Sequence, residues 1–169
     1  YANDVSSLSY SLINGKEDTN GENNRFAYSL VYTRKLTNRL TYVFQNDFGL
    51  EENAKLDASF NTENAYWYGI NQYLYLKYTD TVDLGLRLEW FRDEDNYRVI
   101  GPPIELFSNG GNYYELTMGA NWRPCKFINV RPEARYDWSD VDLLGQQGPY
   151  NDFQDKRMWT FACDVIFKF

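Results

Sequence analysis

Charged residues recur at every second position in several stretches of this chain, and that spacing limits the chemistry they can perform. Arg87 and Glu89 form one such pair, and Arg131, Glu133, Arg135 and Asp137 form an alternating run. Lys77, Glu115 and Asp164 stand in similar alternating surroundings. Carboxylates can act as general acids or bases, but the 169 residues include no His. A nucleophile with a His partner and a His metal site are therefore both excluded. Cys125 and Cys163 have no metal-ligand spacing, and one falls in an expected turn while the other points outward within a strand, which argues against a disulfide. No catalytic residue, metal or cofactor follows, and an outer-membrane hydrolase is the weakest of three functional readings. What remains is electrostatics, in the form of fixed charges of both signs lining a polar space. They read either as a self-neutralising network that fills a narrow lumen, or as a selectivity zone in which Arg87, Arg131 and Arg135 face Glu89, Glu133 and Asp137 across a water-filled pore. The two signs nearly cancel, so no ion preference follows.

The elements that carry these charges have a period of two. Eight segments alternate, near 4–13, 25–36, 40–50, 65–79, 82–93, 112–123, 127–138 and 158–169, the signature of strands. Most are close to the roughly 9–11 residues with which a tilted strand crosses a bilayer. Short connections at 37–39, 80–81 and 124–126 alternate with long polar ones at 14–24, 51–64, 94–111 and 139–157. Short periplasmic turns and long extracellular loops are the asymmetry of outer-membrane barrels, and with eight strands both termini are expected on the periplasmic side. The chain starts at Tyr1 without an initiator Met, which reads as a mature chain or a fragment. Net charge is −7, with 24 acidic and 17 basic residues, against a nucleic-acid partner.

Period two does not say which face is inside, but volume does. Aromatics make up 18% of the chain, and the apolar face alone carries Phe26, Tyr28, Tyr32, Tyr42, Phe44, Phe48, Tyr68, Trp90, Trp122, Tyr136 and more. An eight-stranded barrel has an interior only just wide enough for ordinary side chains, so this face belongs outside, against lipid. The opposite face supplies Ser7, Ser9, Ser11, Gly69, Gly85 and Gly119, which suit a confined lumen. The expected pore lining is thus Lys77, Arg87, Glu89, Glu115, Arg131, Glu133, Arg135, Asp137 and Asp164. Outward rings gather toward strand ends in two girdles. Tyr42, Tyr78, Trp122 and Phe169 lie at the short turns; Tyr66, Trp90, Tyr114, Trp138 and Trp159 lie at the long loops.

Tight hairpins would set Tyr78 opposite Val82 and Trp122 opposite Ile128. Lys77 would then meet Asp83, Tyr73 would meet Arg87, Glu115 would meet Arg135, and Asp164 would fall near Arg131 or Arg135. Asn46 and Gln72 break the apolar rule of the outer face, where unpaired polar groups are costly. One plausible register sets them opposite each other; the competing expectation makes them a contact with another subunit or a second copy. Pro132 predicts a bulge. The acidic pairs Glu51-Glu52, Asp93-Glu94-Asp95 and Asp140 with Asp142 are expected on solvated loops, with divalent-ion bridging to lipopolysaccharide as the functional alternative.

The chain ends on Phe169, with Phe167, Val165 and Phe161 on the same face. Such a terminal strand resembles the signal read by the bacterial outer-membrane assembly machinery. Residues 107–117 (FSNGGNYYELT), Gly119, Asn121-Trp122, residues 130–138 (VRPEARYDW) and the ending DVIFKF resemble the OmpL-like β-barrel porin family. That resemblance implies an outer-membrane pore of Gram-negative bacteria, all-β, an antiparallel up-and-down barrel with eight strands in this chain. Family members are typically longer, so the chain is a C-terminal part of a larger barrel, a barrel completed by another chain, or a compact relative. The leading function is passive diffusion of small solutes or ions. The alternative is a closed barrel serving as structural anchor, adhesin or partner-binding platform.

Overall fold

The structure is a computed structural model and describes residues 4–16, 23–56, 62–101, 110–143 and 145–169. Eight strands follow one another in sequence: β1 (Ser6–Lys16), β2 (Asn24–Lys35), β3 (Leu40–Leu56), β4 (Thr62–Lys77), β5 (Val82–Asp93), β6 (Gly111–Cys125), β7 (Ile128–Ser139) and β8 (Arg157–Phe167). They form a single antiparallel sheet in the order β1-β2-β3-β4-β5-β6-β7-β8. One continuous up-and-down sheet is the topology of a barrel wall and not of a two-sheet sandwich. Among the described residues β1 and β8 each have one strand neighbour and are the edges of the sheet.

Two of the short turns use the same device. In the β2–β3 turn the Thr37 hydroxyl accepts hydrogen bonds from the backbone of Arg39 (3.1 Å) and Leu40 (3.0 Å). In the β4–β5 turn Thr79 accepts from Thr81 (3.2 Å) and Val82 (3.0 Å). A threonine placed to bond its own turn backbone closes both hairpins. The second fixes Lys77 opposite Asp83 and Tyr73 opposite Arg87, as expected.

The β6–β7 hairpin departs from expectation. Trp122 lies opposite Val130 rather than Ile128, because the register slips between Trp122 and Cys125. Glu115 consequently faces Asp137 and Thr117 faces Arg135. Pro132 causes no bulge. Pairing with β6 skips from Gly119–Glu133 to Trp122–Val130 in unchanged register, while Pro132 stays in step with Cys163 of β8. A missing N–H removes ladder bonds without requiring an extra residue. The third strand also outruns its expected end at residue 50. β3 continues to Leu56 against a β4 that starts at Thr62, past an irregularity between Glu51 and Lys55. Glu51 and Glu52 are thus strand residues rather than loop residues. β8 stops at Phe167, leaving Phe169 beyond the strand and fully exposed. Residues 107–109 of the resemblance, and parts of the expected loops at 14–24, 51–64 and 94–111, lie outside the described residues.

Burial obeys the pleat. Every buried strand residue has an odd number, including Glu51, Trp67, Asn71, Tyr113, Glu115, Asp137 and Ser139, and β8 reverses the parity, its even positions standing in register with the odd positions of β7. Large apolar side chains of the other face are open: Leu84, Leu88, Met118, Trp122, Trp159, Phe161 and Phe167. A protein that hides Glu115 at 2% exposure while leaving Phe161 at 75% is turned inside out relative to a water-soluble fold. Outer rings run as a ladder across β6 to β8, from Tyr114 to Trp138 (5.3 Å between centroids), Tyr136, Trp159 (4.7 Å from Tyr136) and Phe161. Trp90, Tyr114 and Trp138 share one row, and Tyr78, Val82 and Trp122 mark another. Eight residues of β5 separate the rows, roughly 27 Å along the strand at about 3.4 Å per residue, of the order of the ~25 Å apolar band of such barrels.

Met118 lies midway between those rows. Met118→Arg is expected to destabilise the folded protein by about 2–4 kcal/mol, the depth-dependent cost of a midplane arginine on the lipid face. Ser7→Arg, in the same cross-strand row as Thr117 on the other face but beside neutral Thr33, is expected to be tolerated. Urea titration of both variants in lipid vesicles checks this, and equal destabilisation would contradict the facing.

Candidate functional site

The register stacks the odd-numbered side chains of β1 to β7 and the even-numbered ones of β8 into rows that cross the sheet. One row runs Ser9, Val31, Gln45, Asn71, Glu89, Glu115, Asp137 and Met158. The next row toward the short turns runs Ser7, Thr33, Val43, Tyr73, Arg87, Thr117, Arg135 and Thr160. Three carboxylates on adjacent strands therefore lie directly above two arginines. The wall formed by β5 to β7 is charged in these rows, whereas β1 to β3 offer only neutral residues there.

Three like charges side by side repel unless cations separate them. Arg87 ion-pairs with Glu89 on its own strand, and its Nη1 lies 3.3 Å from Glu115 Oε2. Arg135 holds Asp137 through three bonds of 2.6–3.0 Å and reaches Glu115 Oε2 at 3.1 Å. Glu115 Oε1 accepts from the Thr117 hydroxyl at 2.5 Å. Its Oε2, although flanked by both guanidiniums, has no aligned hydrogen bond, so that attraction is Coulombic. Asn71 Oδ1 accepts from Arg87 Nε (3.2 Å) and Nη2 (3.1 Å). Two guanidiniums cannot neutralise three carboxylates, and the layer keeps a negative excess.

Above this layer the segment 140–156 folds inward. Val141 and Leu143 are buried at 1% and 5% exposure against Tyr113, with Phe91, Ile100, Tyr150 and Phe153 around them. Phe91 and Tyr113 sit on the odd face, so this apolar cluster caps the lumen. A Cβ on Gly111 would fall 1.8 Å from Val141 Cγ2, a close approach that only glycine permits. Asp140 accepts two bonds of 2.7 Å, from the Asn112 backbone and side chain, and Ser139 Oγ donates to Asn112 O at 2.8 Å. Partial burial works against the Asp140 charge, yet the Asn112 bonds outweigh it and hold the carboxyl below the usual range. The turn 151–153 carries three consecutive non-glycine residues in the left-handed region, with φ of 51°, 55° and 65°. Strain of this kind persists only where packing over-determines it. Here Tyr150 pairs with Asp155 across the turn, and Phe153 packs into the cluster. Burial and then the charge of Asp137 push the Tyr150 phenol up to about 12, and Arg135, Glu115 and Glu89 also act on it. Tyr150 is therefore within electrostatic range of the carboxylate layer. The segment after β5 leans the same way. Asp93, fully buried, accepts backbone bonds from Tyr97, Arg98 and Val99, and Arg98 stacks 4.8 Å over the odd-face ring of Trp67.

The structure brings Arg87, Glu89, Glu115, Arg135 and Asp137 together as one cluster. Arg131 pairs with Asp164 through two bonds, one of 2.7 Å, in keeping with the expected proximity. Glu115 does not sit opposite Arg135 but meets it diagonally, because of the β6–β7 slip. Lys77 faces Asp83 in register, while Asp83 binds Arg123 at 2.8 Å. Asn46 and Gln72 are not partners of each other. Asn46 faces Ile70, accepts from the Tyr28 hydroxyl and donates to Gly69 O, both at 3.0 Å, while Gln72 accepts from the Tyr42 hydroxyl at 3.0 Å. Outer-face tyrosines thus meet the polarity that suggested a subunit contact. Acids expected to be free on loops are partnered: Asp93 as above, Glu94 by Arg92 and Tyr68, Asp140 by Asn112 and Asp142 by Lys156. Among the described residues no cluster of acids could hold a metal ion. The inward fold of 140–156 had only one trace in the sequence, the apolar Val141, Leu143 and Phe153 amid polar neighbours.

The family described as "Putative beta-barrel porin-2, OmpL-like" matches residues 1–169. No curated protein matches the chain. Among solved structures, a crystal structure of the NanC porin superposes with a TM-score of 0.62 at 14% identity, covering 100% of this chain and 74% of that one. At that identity the likeness is one of fold.

Val141→Asp places a charge in the apolar cap. Amide exchange across 140–156 is expected to rise at least tenfold while β6 and β7 amides stay protected. Because the Asp140 carboxyl is depressed, its anchoring holds above the ordinary carboxylate range near 4 and fails only as pH falls through its lower folded value. Exchange protection of the segment, corrected for intrinsic rate, is therefore expected to be flat from about pH 8 to 5.

Proposed function

The chain belongs to the OmpL-like β-barrel porin family and is an outer-membrane porin-like channel, and from that premise we propose that it passes small solutes by passive diffusion, narrowed where the segment 140–156 meets the carboxylate layer. The observation that carries this reading is the inverted burial, with a polar face enclosed and an apolar face open. Water and polar solutes would follow the enclosed face. The route would start in the half of the lumen near the short turns, where buried residues are few, and reach the half narrowed by Trp67, Tyr113 and the cap. Solute would experience one charged wall and one neutral wall rather than a ring of alternating signs. Selection by such a lumen rests on size and on fixed charge, with no chemical step.

The long connections are assigned to the cell exterior and the short turns to the periplasm, on the asymmetry common to such barrels. Lipid and lipopolysaccharide are the proposed surroundings of the outer rings. Trp90 Nε1 donates to Asn112 at 2.9 Å and the Tyr68 hydroxyl to Glu94 at 2.6 Å, the wet edge that interfacial aromatics keep. The aromatic β8 is the proposed handle for the assembly machinery.

Folded protein in planar bilayers is expected to give stepwise sodium chloride conductance, and Tyr150→Ala is expected to raise the unitary step by enlarging the narrow point. Absence of current from a correctly folded sample would remove the channel reading and leave the anchor.

A further inference from the structure

A cavity of about 540 Å³ opens on the odd face on the short-turn side of the two arginines, within the size range of small-molecule sites. Its floor is a single row, in which Tyr75, Gly85, Gly119 and Glu133 lie side by side on four successive strands. The two central residues have no side chains, so the row forms a trough between its outer members. A Cβ added to Gly85 would lie 3.7 Å from the Tyr75 ring, and one added to Gly119 would lie 3.9 Å from Glu133 Cγ. The Tyr75 ring therefore borders one glycine and the Glu133 side chain the next, with the two glycines between them.

Both of these groups are open to a ligand. Tyr75 is 48% exposed. Glu133 is exposed and, unlike Asp83, Glu89, Glu115, Asp137 and Asp164, forms no ion pair among the described residues. Its neighbours Arg131 and Arg135 are taken by Asp164 and Asp137. Tyr73 stacks on Tyr75 with ring centroids 6.1 Å apart and an interplanar angle of 13°, and Arg87 sits 5.7 Å from the Tyr73 centroid. One tyrosine of the stack already carries a cation, and the other faces the trough. The charged residues lining the cavity are Arg87, Arg131 and Arg135 with Asp83, Glu133 and Asp164. An anion would find all three guanidiniums already ion-paired, whereas a cation would find the carboxylate of Glu133 without an ion pair among the described residues.

We propose that this trough is a binding subsite for organic monocations on the permeation path, with the ammonium or guanidinium head held between the Tyr75 ring and the Glu133 carboxylate over Gly85 and Gly119. Adjacent strands lie roughly 4.8 Å apart, so Tyr75 and Glu133 backbones are about 14 Å apart along the row. Cation–π attraction and a carboxylate would act on the same charge from opposite sides. This deepens the channel reading and rests on it.

Choline is the probe. Titration calorimetry on detergent-folded protein is expected to give saturable choline binding, and sodium current in bilayers is expected to fall saturably as choline is added. Glu133→Gln and Tyr75→Leu should each weaken binding roughly three- to tenfold, the size of a partly exposed cation–π or ion-pair contact. Gly85→Ala with Gly119→Ala fills the trough without a clash and should abolish binding while the fold persists. Saturable binding lost in these variants supports the site, even if no sodium current flows, a result that would overturn the channel reading alone. Normal sodium conductance with no saturable choline binding, or with binding unchanged in all three variants, overturns the site and leaves the channel standing.

Discussion

Backbone amides and carbonyls cannot be left unpaired in hydrocarbon, and this constraint governs everything else in the molecule. A sheet satisfies it by pairing each strand with two neighbours, and the pleat then sends alternate side chains to opposite surroundings. The consequence here is a strict parity that puts Glu115 and Asp137 inside and Phe161 and Met118 outside. Among the described residues β1 and β8 each have one neighbour, and these two edges carry some of the most open apolar side chains, Leu8, Tyr10 and Leu12 on one and Trp159, Phe161 and Phe167 on the other.

Within that frame the lumen is graded along its length. Near the long connections it is narrowed by Trp67, Tyr113 and the inward segment with Val141 and Leu143. A charged layer comes next, where two arginines serve three carboxylates. Toward the short turns the wall thins to glycines and opens. Each zone follows from the zone before it through register, since a one-residue step along a strand changes the face and a two-residue step changes the row. Gly49 shows how tightly the narrowed end is specified, because a Cβ there would overlap the Trp67 indole at 2.0 Å.

Much of this was legible in the residues. The alternation of Val82, Leu84, Leu86, Leu88 and Trp90 with Asp83, Gly85, Arg87 and Glu89 gives both a strand and its facing, and the β4–β5 register follows from a two-residue turn. Lateral neighbours were harder to read, because they depend on turn geometry. The slip between Trp122 and Cys125 changed the partner of Glu115 from an arginine to an aspartate, and with it turned a presumed ion-pair lattice into a carboxylate row. The expected pairing of Asn46 with Gln72 failed for the same reason, since each bonds instead to a neighbour, Tyr28 or Tyr42, that a pairwise reading does not reach. The inward turn of 140–156 depends on contacts with Tyr113 and Phe91 across the lumen, which no local pattern announces. The Gly85–Gly119 trough needs four strands in register before it exists at all.

The facing of the two surfaces is tested most directly by lipid quenching of tryptophan. Four of the five tryptophans, Trp90, Trp122, Trp138 and Trp159, lie on the outer face, and Trp67 lies on the inner face, buried beneath Arg98. In single-tryptophan variants reconstituted in brominated phospholipid, those four are expected to be strongly quenched and Trp67 to keep its emission. Quenching of Trp67 with protection of the other four would mean that the apolar face is the interior, and the account would be wrong.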